Sequence, residues 1–295
     1  MPIPLILDLG QPRLEPTALS DQVLRAEAAG VSIVTFSDAP ALPSPGGLEA
    51  GTSAAFVSTR TDRIGLAPQL HVTTTEPFHL ATQLASLDHH TKGRGAWLVG
   101  AANDEAALRT VGATPLSQEA LQQEIRDVIA VARLLWDSWQ DDAVIKDVVT
   151  GRYLDPGRVH HVDFTGARFT VKGPLITPRP PQGQLVVIAP ADLEVDDLVD
   201  VVLIPDHEHL DARVENARAA GALAFADLTS EVPEDIAARV DGIRLSPAAG
   251  EFDAVLERVV PALAARGALR KPEANATLRE SLGLTRPTNH FAATA

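Results

Sequence analysis

The chain has 295 residues, 45% hydrophobic and 22% charged, with Lys+Arg 25 against Asp+Glu 39 and a formal charge of −14. Such acidity argues against a nucleic-acid partner, and the absence of cysteine excludes disulfides, thiolate catalysis and Cys-ligated metals. No apolar run approaches the roughly 18 residues of a membrane span, and MPIPLILDLGQPR lacks the basic n-region of a signal peptide, so a cytoplasmic single domain over residues 1–295 is expected.

Strand-like and helix-period segments alternate along the chain. LILDL (5–9) reads as a strand. SDQVLRAEAAG (20–30) reads as a helix with Ser20 as N-cap and Gly30 as its stop. SIVTF (32–36) is the next strand, ending at Ser37 and Asp38, and a Pro- and Gly-rich loop (39–47) follows it. A helical stretch to about residue 60 leads into the strand IGLAPQLHV (64–72).

EPFHLATQLASLDHHTKGRGAW (76–97) concentrates Glu76, His79, Asp88, His89 and His90. Leu80, Leu84 and Leu87 recur at helical spacing, so 76–90 is expected to be a helix with one buried stripe. Glu76 and His79 share a face, which raises the question of a metal or acid/base site. A metal needs three or more converging ligands and the spacing supplies two, so none is expected here. Glu76, Asp88 and Arg94 read as capping and ion-pairing groups near helix ends. His89 and His90 suit the negative end of the helix dipole.

GAWLVGA (95–101) is a fourth strand, and a long amphipathic helix fits 117–139. Of Trp136 and Trp139 at its end, at least one is expected to pack on the barrel exterior or in a dimer interface. Residues 140–184 lose helical periodicity and form an irregular excursion, with a short hairpin expected from VHHVDF and ARFTVKGPL. Alternation resumes with LVVIA (185–189), VVLIP (201–205), a helix at 208–220, ALAFADL (222–228), a helix near 233–239, GIRLSP (242–247) and a helix at 251–266. The tail from ATLRESLGL onward is expected on the surface. About eight strands, most followed by a helix, imply a parallel sheet closed into a TIM-like (β/α)8 barrel. GGLEAG (46–51) lacks the spacing of a dinucleotide fingerprint, and no P-loop sequence occurs.

Several stretches together resemble the bacterial luciferase-like flavin monooxygenases, in the branch of nitrilotriacetate, dibenzothiophene-sulfone and long-chain alkane monooxygenases. They are RIGLAP (63–68), residues 73–97, ARLLWDSWQDDAVIKDVVTGRYLDP (132–156), VHHVDFTGARFTVKGPLITPRPPQG (159–183), and VDGIRLSP, RVVPALAARGALR and TLRESLGLTRP in the last third. The resemblance implies a luciferase-like barrel with its site at the strand C-terminal ends. It implies reduced FMN from a separate flavin reductase, with O2 and a small organic substrate; some relatives use F420 instead. It also implies a homo-oligomer. Asp38 at the end of strand 2, Gln69 and Thr73 around the end of strand 3, and Trp97 on strand 4 are the expected cofactor contacts. Asp38 also suits a strand-end turn. His71, a strand-end histidine in a barrel mouth, is the catalytic candidate.

The chain departs from that pattern where the cofactor is expected. Leu98, Ala101 and Ala102 replace polar groups after Trp97. The entry to the long helix, PLSQEALQQEIRD, has no tyrosine. After strand 5, IAPADLEVDDLVD stands in place of a Gly-Ser-Ser turn. Pro190 removes a backbone donor, and Asp192, Glu194, Asp196 and Asp197 place carboxylates where a phosphate dianion should bind. Arg109 and Arg152 are the cations that would restore such a site. Three readings therefore stand: a flavin-dependent oxygenase, a barrel that has lost FMN and serves as a non-catalytic partner subunit, and a barrel for another ligand such as F420 or a small hydrophobic acid.

Overall fold

The structure is a computed structural model that describes residues 2–10, 15–41, 48–205 and 209–292. Eight strands pair in parallel into a closed barrel: β1 (Leu5–Asp8), β2 (Ile33–Phe36), β3 (Gly65–His71), β4 (Ala96–Gly100), β5 (Val186–Pro190), β6 (Val201–Pro205), β7 (Leu223–Leu228) and β8 (Gly242–Leu245). β8 closes on β1 with Leu5 opposite Ile243 and Leu7 opposite Leu245. The expected (β/α)8 architecture is thus the one observed.

Because strand side chains alternate, β1 to β7 each contribute to two cores. Ile6, Ile33, Ala67, Leu98, Ile188, Leu203 and Phe225 fill the barrel interior. Leu7, Val34, Trp97, Val187 and Ile204 point outward and pack on Leu19, Leu80, Ile129 and Trp136 of the helices. Gly242 is required where it is, since a Cβ there would lie 2.3 Å from the Phe225 ring.

The helices follow their capping chemistry. α1 (Pro16–Ala29) starts four residues before Ser20, with Pro16 at its first position, and Ser20 lies inside it, because a proline suits N1. Gly30 ends it in the left-handed conformation, as expected. α2 (Ala50–Ser58) and α3 (Pro77–His90) begin at Glu49 and Glu76, whose carboxylates accept the first free backbone N–H groups. Glu76 is therefore a cap, and His79 shares no ligand set with it; no group of three metal-ligating side chains converges among the described residues. α4 (Glu105–Arg109) is short, and α5 (Gln118–Asp137) buries Trp136 fully, its indole N–H donating to Ala81 O at 3.0 Å. α6 (Leu210–Ala219) and α7 (Ile236–Arg239) follow β6 and β7. α8 (Phe252–Ala254) continues through a π-turn at Val255–Val259 into α9 (Val260–Ala265). The loop expected at 39–47 lies outside the described residues from 42 to 47. Among the described residues, no helix is long and apolar enough to cross a membrane.

The excursion holds two short hairpins, Val144–Asp147 with Arg152–Leu154 and Phe164–Thr165 with Thr170–Val171. The second is the one expected from the sequence. The tail differs from expectation. α10 (Leu278–Leu282), started by a Thr277/Glu280 capping box, drives Leu278 and Leu282 into the barrel-interior core. The i,i+4 leucine pair gives the segment one apolar stripe, and burying each leucine stabilises by about 1.5–3 kcal/mol. The open end of the barrel at the strand N-termini supplies the place for it.

A buried polar junction fastens this plug. Asp88, wholly buried, accepts from Gly95 N–H (3.0 Å), Gln182 N–H (3.2 Å) and Gln182 Nε2 (2.6 Å). Gln182 Oε1 in turn accepts from the backbone N–H of Arg279. Desolvation pushes the Asp88 carboxyl up to about 6, against the three N–H donors that favour its charge. A raised folded-state value means the folded protein holds a proton that the unfolded chain has lost. The associated stability is present in full below about pH 4 and is lost as pH rises through about 6, on the order of 3 kcal/mol in total. Asp88→Asn should flatten the urea-unfolding stability profile between pH 4 and 6.5; an unchanged slope would refute this assignment.

Candidate functional site

At the strand C-terminal ends the inward-facing parity turns polar. Asp8 ends β1, Thr35 and Ser37 stand at the end of β2, Gln69 and His71 at the end of β3, Asp227 near the end of β7, and Arg244 near the end of β8. β5 and β6 end on Pro190 and Pro205. The mouth is polar on the β7–β8–β1–β2–β3 side for that reason. Residues at this face are where barrel enzymes place chemistry.

Two hydrogen-bonded groups fill the polar side. In the first, Arg244 pairs with Asp8 (3.1 Å) and Asp227 (3.0 Å). Thr35 Oγ1 donates to Asp8 (2.6 Å), Ser37 Oγ donates to the same carboxylate (3.1 Å), and Ser246 Oγ donates to Asp227 (3.3 Å). Burial pushes the Asp227 carboxyl above its usual range, against the pull of Arg244. The sequence reading does not single these residues out. A signal is nonetheless present, since each is a polar residue at the inward parity of a strand's last turn.

The second group joins four of the five expected site residues. Gln69 Oε1 accepts from the Asp38 backbone N–H (2.9 Å), and His71 Nε2 donates to the Asp38 carbonyl (3.2 Å). His71 Nδ1 accepts from the Ala102 N–H (3.1 Å), and Thr73 Oγ1 donates to the Ala102 carbonyl (2.5 Å). An Nδ1 that accepts must be unprotonated, so His71 is the neutral Nε2–H tautomer. Burial pushes its pKa down, against the hydrogen bond and charge of Asp38 and the charge of Asp104. The ring lies flat on Gly100, where a Cβ would sit 2.6 Å from Nδ1. With both nitrogens on backbone groups, His71 clamps the loops after β2 and β4 together. The Asp38 carboxylate accepts from Ala39 N–H (2.8 Å) and Ala50 N–H (3.0 Å), the turn-forming role open to it from the sequence.

Trp97 stands apart. It faces outward on β4, is wholly buried, and donates its indole N–H to Leu70 O (3.1 Å). Its neighbours Ala96 and Leu98 face the interior, so the tryptophan packs between sheet and helices.

The turn after β5 tests whether a flavin phosphate fits. Two single 3-10 turns, Ala191–Leu193 and Asp196–Leu198, occupy it. A cavity of about 330 Å³ beside it is lined by Glu194, Asp196, Asp197 and Arg213, with Ala191, Asn216 and Ala220. Arg126 is committed to Asp197 by two hydrogen bonds (3.0 and 2.6 Å). Burial pushes the Asp196 carboxyl up, partly opposed by Arg213. Arg109 pairs with Glu105 and Arg152 with Asp155, both well exposed and outside that cavity. Like charges at 4 Å repel by about 4 kcal/mol at an effective dielectric of about 20. Three carboxylates against the single cation Arg213 make this turn unfavourable for a phosphate dianion.

The profile of the luciferase-like monooxygenase family matches residues 7–241. One of the subunits of the pristinamycin IIA synthase of Streptomyces pristinaespiralis is 33% identical over 290 residues, 98% of this chain and 96% of that protein. The N-acetyl-S-(2-succino)cysteine monooxygenase of Bacillus subtilis is 39% identical over 129 residues, 43% of this chain but only 29% of that enzyme's length. The solved structure of a long-chain alkane monooxygenase superposes with a TM-score of 0.84 at 17% identity, covering 100% of this chain and 99% of that one, which speaks to the fold alone. The matched profile, the full-length relative and the barrel agree: the chain belongs to the luciferase-like monooxygenase family.

Proposed function

We propose that this chain works in a flavin-dependent monooxygenase reaction on a small organic substrate, as the companion to a homologous barrel that holds the flavin. Reduced FMN would come from a separate flavin reductase and react with O2 on that second barrel. The observation that carries this reading is the carboxylate-rich turn after β5. The similarity over 98% of the chain to one component of a multi-subunit synthase supports it. On this reading the neutral His71 clamp and the Asp8–Arg244–Asp227 group hold the mouth in shape. Both barrels would be cytoplasmic. In the absence of its companion, the chain is expected to associate with itself as a homo-oligomer.

A second reading has the chain itself bind reduced FMN, or F420, in its mouth. It is favoured by the polar inward set Asp8, Thr35, Gln69, His71 and Arg244 at the face where the family's chemistry is expected. In that case Asp38, Gln69 and Thr73 would line the ring, with His71 beside the substrate.

Titration of the purified chain with oxidised and dithionite-reduced FMN, followed by absorbance and fluorescence, separates the two. The companion reading expects no saturable binding of either form. It also expects substrate oxidation to appear only when a flavin-holding homologue from the same genome and a reductase are added together. Saturable binding of reduced FMN or F420 by the isolated chain would overturn it in favour of the oxygenase.

A further inference from the structure

The first hairpin of the excursion, Val144–Asp147 with Arg152–Leu154, forms a two-stranded sheet of its own, apart from the barrel. Residues 145 to 153 are exposed, except for a half-buried Asp147. Seven large hydrophobic side chains are exposed among the described residues, and four of them lie in these nine positions: Ile145 (40%), Val148 (93%), Val149 (96%) and Tyr153 (60%). Tyr153 is the only tyrosine of the chain, a residue type enriched at interfaces. Single exposed apolar residues are ordinary on a protein surface. A cluster of them on a hairpin with two unpaired edges is a template for association.

The tip has a fixed shape. The Asp147 carboxylate accepts from the N–H groups of Val149 (2.9 Å) and Thr150 (3.3 Å) and from the Thr150 hydroxyl. Gly151 closes the turn at φ 70, where a side chain would be strained. Beside the turn, a hollow of about 350 Å³ is lined by Lys146, Asp147, Val148, Gly151, Arg152 and Tyr153. Val149 does not line it and stands out as a knob. A hairpin that carries both a knob and a hole is complementary to itself about a two-fold axis, where each contact occurs twice.

The charges are self-complementary as well. Two copies of Ile145-Lys146-Asp147-Val148 running antiparallel place Lys146 against the partner's Asp147 and Ile145 against the partner's Val148. Lys146 forms no ion pair within its own chain among the described residues. Its own turn takes three of the roughly four acceptor positions of Asp147, which leaves one for an ammonium. Two chains of charge −14 repel in most orientations, but the hairpin carries Lys146 and Arg152 against Asp147 alone. Four strand residues reach about 13 Å, beyond the Debye length of about 8 Å at physiological salt. Contact through the tips therefore keeps the acidic bodies apart. Covering the four apolar side chains removes on the order of 500 Å² per copy, and the resulting total of about 1,000 Å² is the lower bound of a specific interface.

We propose that this hairpin is a self-association surface, occupied by the same hairpin of a second copy of this chain across a two-fold axis. None of its residues belongs to either group in the mouth, so the proposal stands whichever reading of the mouth holds. An interface of this size makes a dimer that dissociates on dilution.

The test is sedimentation equilibrium of the full chain over a range of concentrations. A monomer–dimer equilibrium that stops at two copies is expected. Val148→Ser together with Val149→Ser should raise the dimer dissociation constant at least about tenfold. Both valines are exposed and belong to neither core. The double variant should therefore keep its melting temperature at a concentration where the unchanged chain is monomeric. Lys146→Glu should also weaken the dimer, and added salt should restore part of that loss, because the new carboxylate repels the partner's Asp147. Association that continues past two copies, or a dissociation constant unaffected by the two valine changes, would overturn the proposal. A chain that stays monomeric at every concentration overturns it too, and if it then needs the two valines to bind a flavin-holding homologue, the hairpin belongs to that partner instead.

Discussion

Arg179→Met is expected to lower the free energy of unfolding by about 3–5 kcal/mol. The Arg179 and Asp137 side chains are 3% and 1% exposed, with their closest N–O contact at 2.9 Å. Asp137 also accepts from Gln184 Nε2 (2.7 Å) and from the His290 N–H (3.1 Å). Arg179 further donates to Asp141 (2.8 Å) and Pro287 O (2.9 Å). This one pair therefore ties the end of α5 to the excursion and to the C-terminal tail. Removing the cation leaves a buried carboxylate with only neutral donors. The neighbouring pair Arg286–Asp141, 46% and 53% exposed, is the internal control, because solvent screens it: Arg286→Met should cost less than about 1 kcal/mol. Urea unfolding of the two variants decides the matter. Equal losses would show that burial does not set the cost.

Arg244→Met in the barrel mouth should also cost about 3–5 kcal/mol near neutral pH. The arginine separates Asp8 and Asp227, and without it two carboxylates face each other across β8. The expected pH dependence follows from Asp227, whose carboxyl burial already pushes up. Losing Arg244 removes the charge that opposes this rise, so the variant's Asp227 takes up a proton more readily in the folded state. The stability deficit should therefore shrink as pH falls and grow as pH rises. Adding Asp227→Asn to Arg244→Met should recover much of the loss at pH 7. A deficit independent of pH, with no rescue by the second change, would mean that the cost is lost packing of the arginine stem.

The two groups in the mouth are unequally legible. Asp38, Gln69, His71 and Thr73 lie near strand ends in the sequence, and the structure brings them into one hydrogen-bonded group. Nothing in the sequence reveals that His71 spends both ring nitrogens on backbone groups. That depends on loops after β2 and β4 meeting across β3. The outward orientation of Trp97 is equally hidden, because a strand buried on both faces shows no polar alternation from which to read parity. Asp8, Asp227 and Arg244 supply that parity at other strand ends. The pairs of Arg244 with Asp8 and of β8 with β1 join opposite ends of the chain and need the barrel to close.

The order of strands and helices, the amphipathic α5, the glutamate cap of α3 and the carboxylates after β5 are all set by local sequence. Capping, periodicity and steric preference act within a few residues, so they can be read without a fold. The closure of β8 on β1, the leucine plug of α10 and the Asp137–Arg179 pair are decided only in three dimensions. Each of these is a contact between distant segments, and its energy exists only once the barrel has excluded water between them.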